Sequence, residues 1–390
     1  MNISNAVVVG GGIGGLAVAA ALARGGVAVT VLEQANALRE VGAGLQVSPN
    51  GLAVLRALGL EAGLRTKEAV QGQAVVLRDF ANGAEVARLP LDRLPKTQRY
   101  YFVHRTDLID LLAGAAKRAN VTFEMGAQVA SIRPGKVPQV QMTDGSTRRA
   151  ELVVAADGIH SVARPALNGP DRAVFSGQVA WRAVVPNEIN HPPAAQVHMG
   201  AGRHLVSYPL RGGRLINLVA VEERDGWAAE GWHHADDPSN VKNAFSGFGG
   251  DAARMIDAVK DVTLWGLHLH PVASVWQQQG VALLGDAAHP TLPFLAQGAN
   301  MALEDAWVLA DQAMHGQGDW LAGYQQRREA RVRRVIGAAE KNAQRYHMRA
   351  GPMRSLAHLG LKLGSRLAPS QMLGAFNWLY GHDVTRPRKP

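Results

Sequence analysis

Apolar residues along this chain keep two rhythms, and the switch between them predicts two kinds of sheet. Short unbroken apolar runs mark strands buried on both faces. Val7 to Val9, Val27 to Leu32, Ala150 to Ala156 and Val281 to Leu284 are of this kind. The alanine-rich segment Leu16 to Ala23 between the first two reads as a helix, and another helix begins near Ala299. Alternating runs mark strands with one covered face. Val179 to Val185, Gln196 to Met199, His204 to Tyr208 and Leu215 to Val221 alternate between Gly and Pro punctuation. Val75 to Leu89 alternates on both sides of an Asn82-Gly83 turn.

Smaller elements fill the gaps. Ala43 to Pro49, within the Gly42 to Pro49 stretch, reads as an extended loop, followed by a short helix from Asn50 to Leu58. Thr106 and Asp107 are N-cap candidates for a helix from Leu108 to Arg118. Val121 to Met125, Val129 to Ile132 and Val140 to Met142 read as one small sheet with a turn at Asp144-Gly145. The predicted class is α/β. A Rossmann-like nucleotide-binding domain comprises residues 1–72, 99–173 and 265–351. A mostly antiparallel β-sheet domain of residues 73–98 and 174–264 is inserted into it, and 352–390 form a helical C-terminus.

Composition narrows the chemistry. The chain has 390 residues, enough for two domains with a large core. It has no cysteine, which excludes disulfides, thiolate metal sites and dithiol redox chemistry. The eighteen uncharged residues from Ala6 to Ala23 reach the lower limit for a membrane span. Glycines occupy the interior of that run, however, and no basic residues precede it, so the expectation is a soluble, cytoplasmic chain without a span. Net charge is +9, with Arg327, Arg328, Arg331, Arg333 and Arg334 gathered in a helical stretch from Gln325 to Arg345. Without interleaved aromatics this reads as a solvated helix face rather than a nucleic-acid surface.

Three glycine–acid sites end the buried strands. In the first, Gly10 permits a tight turn, Gly12 lets backbone approach a pyrophosphate, and Gly15 lets the helix pack on the strand. Glu33 follows Gly10 by 23 residues, where a carboxylate can accept from ribose hydroxyls. The second is Asp157-Gly158-Ile159-His160-Ser161-Val162-Ala163-Arg164, and the third is Gly285-Asp286-Ala287-Ala288-His289-Pro290 with Gln297-Gly298-Ala299-Asn300 beyond it. Each sets a carboxylate at the strand ends of an open sheet, where ligands collect.

From about residue 5 to 345, these motifs resemble the single-component FAD-dependent aromatic hydroxylases, the para-hydroxybenzoate hydroxylase class. Within that class the chain looks most like the salicylate, 3-hydroxybenzoate and 6-hydroxynicotinate monooxygenase branch. The resemblance implies FAD held at its ADP half by Gly10, Gly12, Gly15 and Glu33. Arg105 would contact the flavin cofactor, and Asp157 and Gly158 would serve FAD and the nicotinamide cofactor. Asp286 would bind the ribityl-pyrophosphate region, and the turn at Gly298, Ala299 and Asn300 the flavin ring. It further implies NADH or NADPH and O2 as co-substrates, a flavin C4a-hydroperoxide as hydroxylating species, and a small aromatic or heteroaromatic substrate, a phenolic acid by preference. The cofactor carries that chemistry while protein places the ring, excludes water and draws off a phenolic proton.

His204 and Tyr208 stand four residues apart on one strand, so their side chains share a face. They resemble the substrate-contacting pair of that branch, and the alternative is two ordinary sheet residues. Gln297, after Pro293, resembles a ring-contacting glutamine, and Gln46 stands where the hydroxynicotinate enzymes carry histidine. Catalytic expectations are therefore His204, Tyr208 and Gln297, with Gln46 and Pro293 added to them as substrate contacts. His289 reads as structural or flavin-neighbouring. Rival functions are a quinone-biosynthesis hydroxylase, an atypical oxygenase and a FAD-binding protein without activity. The halogenase WxWxIP segment is absent, with Val179-Ala180-Trp181-Arg182-Ala183-Val184-Val185-Pro186 in its place. The apolar tail from Pro352 to Trp378 could cap the pocket, form a homodimer contact or touch a membrane.

Overall fold

In the computed structural model, the unbroken apolar runs lie side by side as parallel strands. The structure describes residues 2–38, 43–170, 173–226, 234–347 and 351–386. Gly42 and residues 387–390 of the expected tail lie outside the described residues. The first sheet has six strands in the order Gln277–Gln278, Val281–Leu283, Leu152–Ala155, Asn5–Val9, Ala28–Glu33 and Thr122–Met125. All neighbours are parallel except the short Gln277–Gln278 edge strand. Val8 pairs with Val154 on one side and Val31 on the other, and all three are fully buried. The helices Ile13–Arg24 and Gly298–His315 pack together in the same core, so this central strand has no polar face to alternate.

The alternating runs build an eight-stranded sheet. Its order is His234–Asp236, Val262–Leu269, Val174–Pro186, Leu215–Glu223, Arg203–Leu210, Ala194–Gly200, Ala74–Asp79 and Glu85–Pro90. Pairing is antiparallel except between Ala194–Gly200 and Ala74–Asp79. One face buries Val179, Trp181, Leu205, Leu218 and Leu264 under the Pro238–Ala244 and Asp251–Asp257 helices. The other face turns towards the first domain. A three-stranded ribbon of Gly44–Val47, Tyr101–His104 and Val70–Gln71 lies between the two.

Several sequence expectations are corrected. The segment expected as a loop after Gly42 is a strand, Gly44–Val47, because it pairs with Tyr101–His104. Thr122–Met125 does not join the small sheet. It forms the edge of the parallel sheet, while Val129–Arg133, Gln139–Met142 and Thr147–Arg149 make a three-stranded sheet of their own. Periodicity identifies a strand but carries no information about its partner. The helix expected from Leu108 starts at Arg105, with His104 in the cap position. Asp107 is not its cap, because both carboxylate oxygens accept from Arg211 at 3.2 Å. The expected boundary after residue 264 falls inside the Val262–Leu269 strand, which stays in the eight-stranded sheet to its end.

The arginine-rich helix, Trp320–Tyr346, is not simply a solvated face. Arg328 is 0% exposed and pairs with Asp305 at 2.7 Å and Glu304 at 2.5 Å, both equally buried. Arg331 adds a second cation to Glu304 at 2.7 Å. Buried charge is costly unless paired, and here two cations meet two anions. Beyond this helix, Pro352–Leu367 leaves Leu356, Leu359, Leu363 and Leu367 exposed on its outer side. Among the described residues, no helix is long and apolar enough to cross a membrane.

Candidate active site

At the carboxyl end of the central strand, three glycines differ in what surrounds them. Gly10 has φ +102°, and a Cβ there would stand 2.4 Å from the Ala156 carbonyl oxygen. A Cβ on Gly15 would meet the Gly10 oxygen at 2.0 Å, because the helix lies directly against the turn. A Cβ on Gly12 would meet nothing within 4 Å. Gly12 therefore borders open space at the start of the Ile13–Arg24 helix, where unpaired N–H groups and the positive dipole end favour phosphate. Glu33 closes the next strand. Its carboxylate accepts from Gly11 N at 2.7 Å and Ala35 N at 2.9 Å, which fixes its position beside the glycine turn.

The second and third glycine–acid sites are tied together by one side chain. Arg164 is buried and donates to the Ala287 and Ala288 carbonyls at 3.2 and 3.0 Å, and also to that of Pro271. Asp157 accepts from Val162 N through Oδ2 at 2.8 Å, whereas its buried Oδ1 has no hydrogen-bond partner. Burial raises the Asp157 carboxyl above its ordinary range, opposed by Ser161 and backbone N–H groups. Gly158, at φ +77°, again has open space where a Cβ would be. Asp286 is likewise raised by burial, with His289 and Arg105 pulling the other way. Arg105 thus stands across from Asp286 at the first turn of its helix. His289 donates from Nε2 to the Asp305 carboxylate at 2.6 Å, beside the Trp276 ring. The open cradle at Gly12 and Gly158 and the orphaned Asp157 oxygen fit a dinucleotide such as FAD.

The Gly298–His315 helix starts at the expected turn, leaving the first-turn N–H groups of Gly298, Ala299 and Asn300 without intrahelical partners. The Asn300 side chain is committed elsewhere. Its Nδ2 donates to the Gln46 and Ala296 carbonyls, and its Oδ1 accepts from Ser48 N. Gln297 is held from both ends of its amide: its Oε1 accepts from Asn50 and its Nε2 donates to Ser48 Oγ and the Leu295 carbonyl. Asn50 in turn donates to Glu304, so Gln297 belongs to the buried ionic cluster. Its neighbour Pro293 begins the short turn Pro293–Leu295, and the Gln46 Oε1 accepts from the Tyr100 hydroxyl at 2.7 Å.

Opposite this cradle lies the inner face of the eight-stranded sheet, and register decides what it carries. One row across the strands reads His204, Val221, Ala180, Trp265; the next reads Val206, Val219, Arg182, Thr263; a third reads Tyr208, Asn217, Val184. His204 and Tyr208 share this face as expected, and both are buried. The Tyr208 ring stacks on Phe102 at 5.3 Å, which locks it against the ribbon. Burial raises its phenol well above the ordinary value, with Arg182 opposing. Gly44 allows that contact, since a Cβ there would stand 2.6 Å from the Tyr208 ring. Gly44 N also donates to Asn217 Oδ1 at 2.6 Å, which joins ribbon to sheet. His204 lies two rows from Tyr208, about 13 Å along the strand. Its ring sits among Phe294, Tyr346 and His347, and its Nδ1 is 2.6 Å from His347 Nε2.

Arg182 is the residue that sequence reasoning missed. Its guanidinium lies over the Trp265 ring at 4.0 Å, and its buried Nε has no hydrogen-bond partner. Among the described residues it makes no ion pair. Burial lowers its pKa to about 10, Tyr208 opposes this, and Arg105 adds to it. The available signal was a single charge within the otherwise apolar run Val179 to Val185. His347 gave no such signal, because 143 residues separate it from His204.

A nucleotide cradle facing a sheet that presents a phenol, an imidazole and a guanidinium is the arrangement of a flavin-dependent hydroxylase of aromatic rings. The chain belongs to the FAD binding domain family, which matches residues 4–339, and it is a FAD-dependent monooxygenase. It is 34% identical over 388 residues to the 3-amino-4-hydroxybenzoate 2-monooxygenase of Streptomyces platensis, covering 97% of this chain and 96% of that protein. The 3-hydroxybenzoate 6-hydroxylase of Polaromonas naphthalenivorans is 34% identical over 396 residues, with 97% and 96% covered. Among solved structures, Klebsiella pneumoniae HpxO complexed with FAD and uric acid superposes with a TM-score of 0.83 at 26% identity. That superposition covers 96% of this chain and 97% of the other.

Proposed function

We propose that this enzyme hydroxylates a small phenolic acid, consuming one NAD(P)H, one proton and one O2 and releasing one water. The observation that carries the acid part is Arg182, a half-buried guanidinium with no anionic partner among the described residues, on the face that looks into the site. Such a cation is costly until an anion arrives, and a planar carboxylate matches its fork. Supporting this reading, both relatives above carry names of hydroxybenzoate-type substrates.

FAD, when bound, supplies hydride acceptance and oxygen activation, and its ADP half would be held by Gly10, Gly12, Gly15 and Glu33. Arg105, Asp157, Gly158 and Asp286 would line its middle, and the first turn at Gly298, Ala299 and Asn300 would face the ring through backbone N–H groups. The protein's own residues then act on the substrate. Arg182 holds the carboxylate, Tyr208 orients the ring through its hydroxyl, and His204 Nε2 accepts the phenolic proton. Trp265, Phe294, Val206 and Val219 keep water away, which preserves the oxygen for the ring. Gln46 and Pro293 lie at the margin as substrate contacts.

The test is a matched substrate panel offered to the FAD-loaded enzyme, with NAD(P)H consumption and product mass read together. Each hydroxybenzoate is paired with the phenol lacking its carboxylate and the benzoate lacking its hydroxyl. Product from the phenolic acid alone is the expected result. Equal turnover of the neutral phenols would remove Arg182 from the reading, and equal turnover of the plain benzoates would remove His204.

A further inference from the structure

A line of hydrogen bonds leaves the site from His204 and ends at the surface. His204, 1% exposed, meets His347 with Nδ1 to Nε2 at 2.6 Å. His347 Nδ1 then lies 2.8 Å from Glu223 Oε1, and the Glu223 side chain is 49% exposed. The chain is held by backbone as well. Gly202 N donates to the His347 carbonyl at 3.4 Å, and Glu223 N donates to the Gly202 carbonyl at 2.8 Å. Neighbouring arginines do not compete for Glu223, because Arg203 and Arg224 both pair with Glu222. Gln178 Nε2 lies 3.4 Å from His347 Nδ1, too long to displace a carboxylate at 2.8 Å.

The carboxylate decides which nitrogen carries each proton. Glu223 only accepts, so His347 Nδ1 donates to it and His347 Nε2 is left as an acceptor. His204 Nδ1 must then donate to His347 Nε2, which leaves the His204 Nε2 lone pair without a partner among the described residues. One surface charge thereby makes a buried imidazole a ready base two links away.

We infer that His347 and Glu223 are positioning residues that keep His204 Nε2 unprotonated and conduct the substrate's phenolic proton from it to solvent. This rests on the reading of His204 as the group that meets the phenol. As Nε2 takes the phenolic proton, the Nδ1 proton of His204 passes to His347 Nε2. The Nδ1 proton of His347 passes to the Glu223 carboxylate, which releases it to water. Counting the release to water, four N–H or O–H bonds form and four break, and the site ends as phenolate with no imidazolium stranded in the interior. A buried imidazolium next to a second imidazole would otherwise bear the full desolvation cost.

The test uses the FAD-loaded enzyme, its Glu223→Gln and His347→Gln variants, and two readouts. Nitrogen-15 NMR of histidine-labelled protein without ligand should show both imidazoles of the pair protonated at Nδ1 in the parent. In Glu223→Gln the His347 signals should shift towards mixed tautomers. The second readout is the absorbance of bound 3-hydroxy-4-nitrobenzoate, whose phenolate is coloured, across pH and after rapid mixing. The parent should ionise it at lower pH and faster than either variant, by about tenfold or more in rate. Added imidazole should restore ionisation in His347→Gln, and Glu223→Asp should resemble the parent. The groups facing the pair from the surrounding elements are Gln178, Glu223, Phe294 and Tyr346, so the pH shift is assigned to Glu223. Unchanged tautomers in Glu223→Gln, or equal ionisation in all forms, would overturn the relay. If the parent itself fails to take up the probe, the phenolic-acid reading falls while the NMR result still decides the relay.

Discussion

Arg182 and Trp265 face each other diagonally across two adjacent strands, the guanidinium 4.0 Å from the ring centroid. Stacking on the indole restricts the orientations open to the guanidinium fork. A cation placed like this is oriented in advance for a planar anion, so its loss should be felt in binding before anything else. Arg182→Gln should retain FAD and the fold and raise the KM for a hydroxybenzoate about 10- to 100-fold. The KM for the matching neutral phenol should hardly move. Parallel steady-state assays on the two substrates check this, and an equal loss for both would mean the arginine acts on the flavin instead.

The glycines of the first turn should separate cofactor loss from folding loss. Gly12→Val places its side chain in open space, so the chain should fold but come out colourless. Gly15→Val drives a side chain into the Gly10 carbonyl, 2.0 Å from its Cβ, and should lower thermal stability even without FAD. Flavin absorbance per chain and calorimetry of the apoproteins distinguish the two. A yellow Gly12→Val enzyme would displace the assigned pyrophosphate site.

Tyr208→Phe keeps the stack on Phe102 and removes only the hydroxyl, so stability should be nearly unchanged. Product formation should fall about 10²- to 10⁴-fold, the usual cost of losing a positioned proton donor or acceptor. NAD(P)H oxidation should persist, with reducing equivalents appearing as hydrogen peroxide. Peroxide and product measured in one reaction test this. Parent-like coupling in both Tyr208→Phe and His204→Ala would return the pair to ordinary sheet residues.

The buried cluster predicts an acid limit. Burial alone would raise the Glu304 carboxyl, but Arg328 and Arg331 outweigh it and hold it at about 2, below its ordinary 4.5. Asp305 is lowered for similar reasons, by His289 and Arg328 against burial. A depressed carboxyl stabilises the fold above its unfolded pKa, and that share is lost as pH falls from about 4.5 towards 2. Arg328→Met removes the cation shared by two buried carboxylates, leaving Glu304 with Arg331 and Asp305 with His289, and should cost about 3–5 kcal/mol at neutral pH. Its acid unfolding should also lose the steep segment in that window. Thermal melts from pH 7 to 3 provide the comparison, and superimposable curves for parent and variant would show the cluster to be energetically idle.

Local chemistry explains what was legible beforehand. A tight turn, a close phosphate approach and a helix packed on a strand each demand glycine at one chain position, so Gly10, Gly12 and Gly15 announce the cradle without any distant partner. The same holds for buried parallel strands, which read as unbroken apolar runs, and for the two-residue period that put His204 and Tyr208 on one face. Strand pairing was less visible: Gly44–Val47 and Thr122–Met125 found their places only through neighbours far along the chain.

The amino-acid sequence by itself determined the two sheets, the nucleotide cradle and the kind of chemistry, because those depend on short-range sterics and periodicity. Tertiary structure alone decided where the buried polar side chains found their partners. Gln297 turned into the Glu304 cluster, Arg328 was buried rather than solvated, and Arg182 was left without an anion among the described residues. His347, from the end of the Trp320–Tyr346 helix, came to rest on His204. Each outcome depends on where a buried charge or donor finds its partner, and hydrogen bonds of that kind join residues whose separation along the chain carries no pattern.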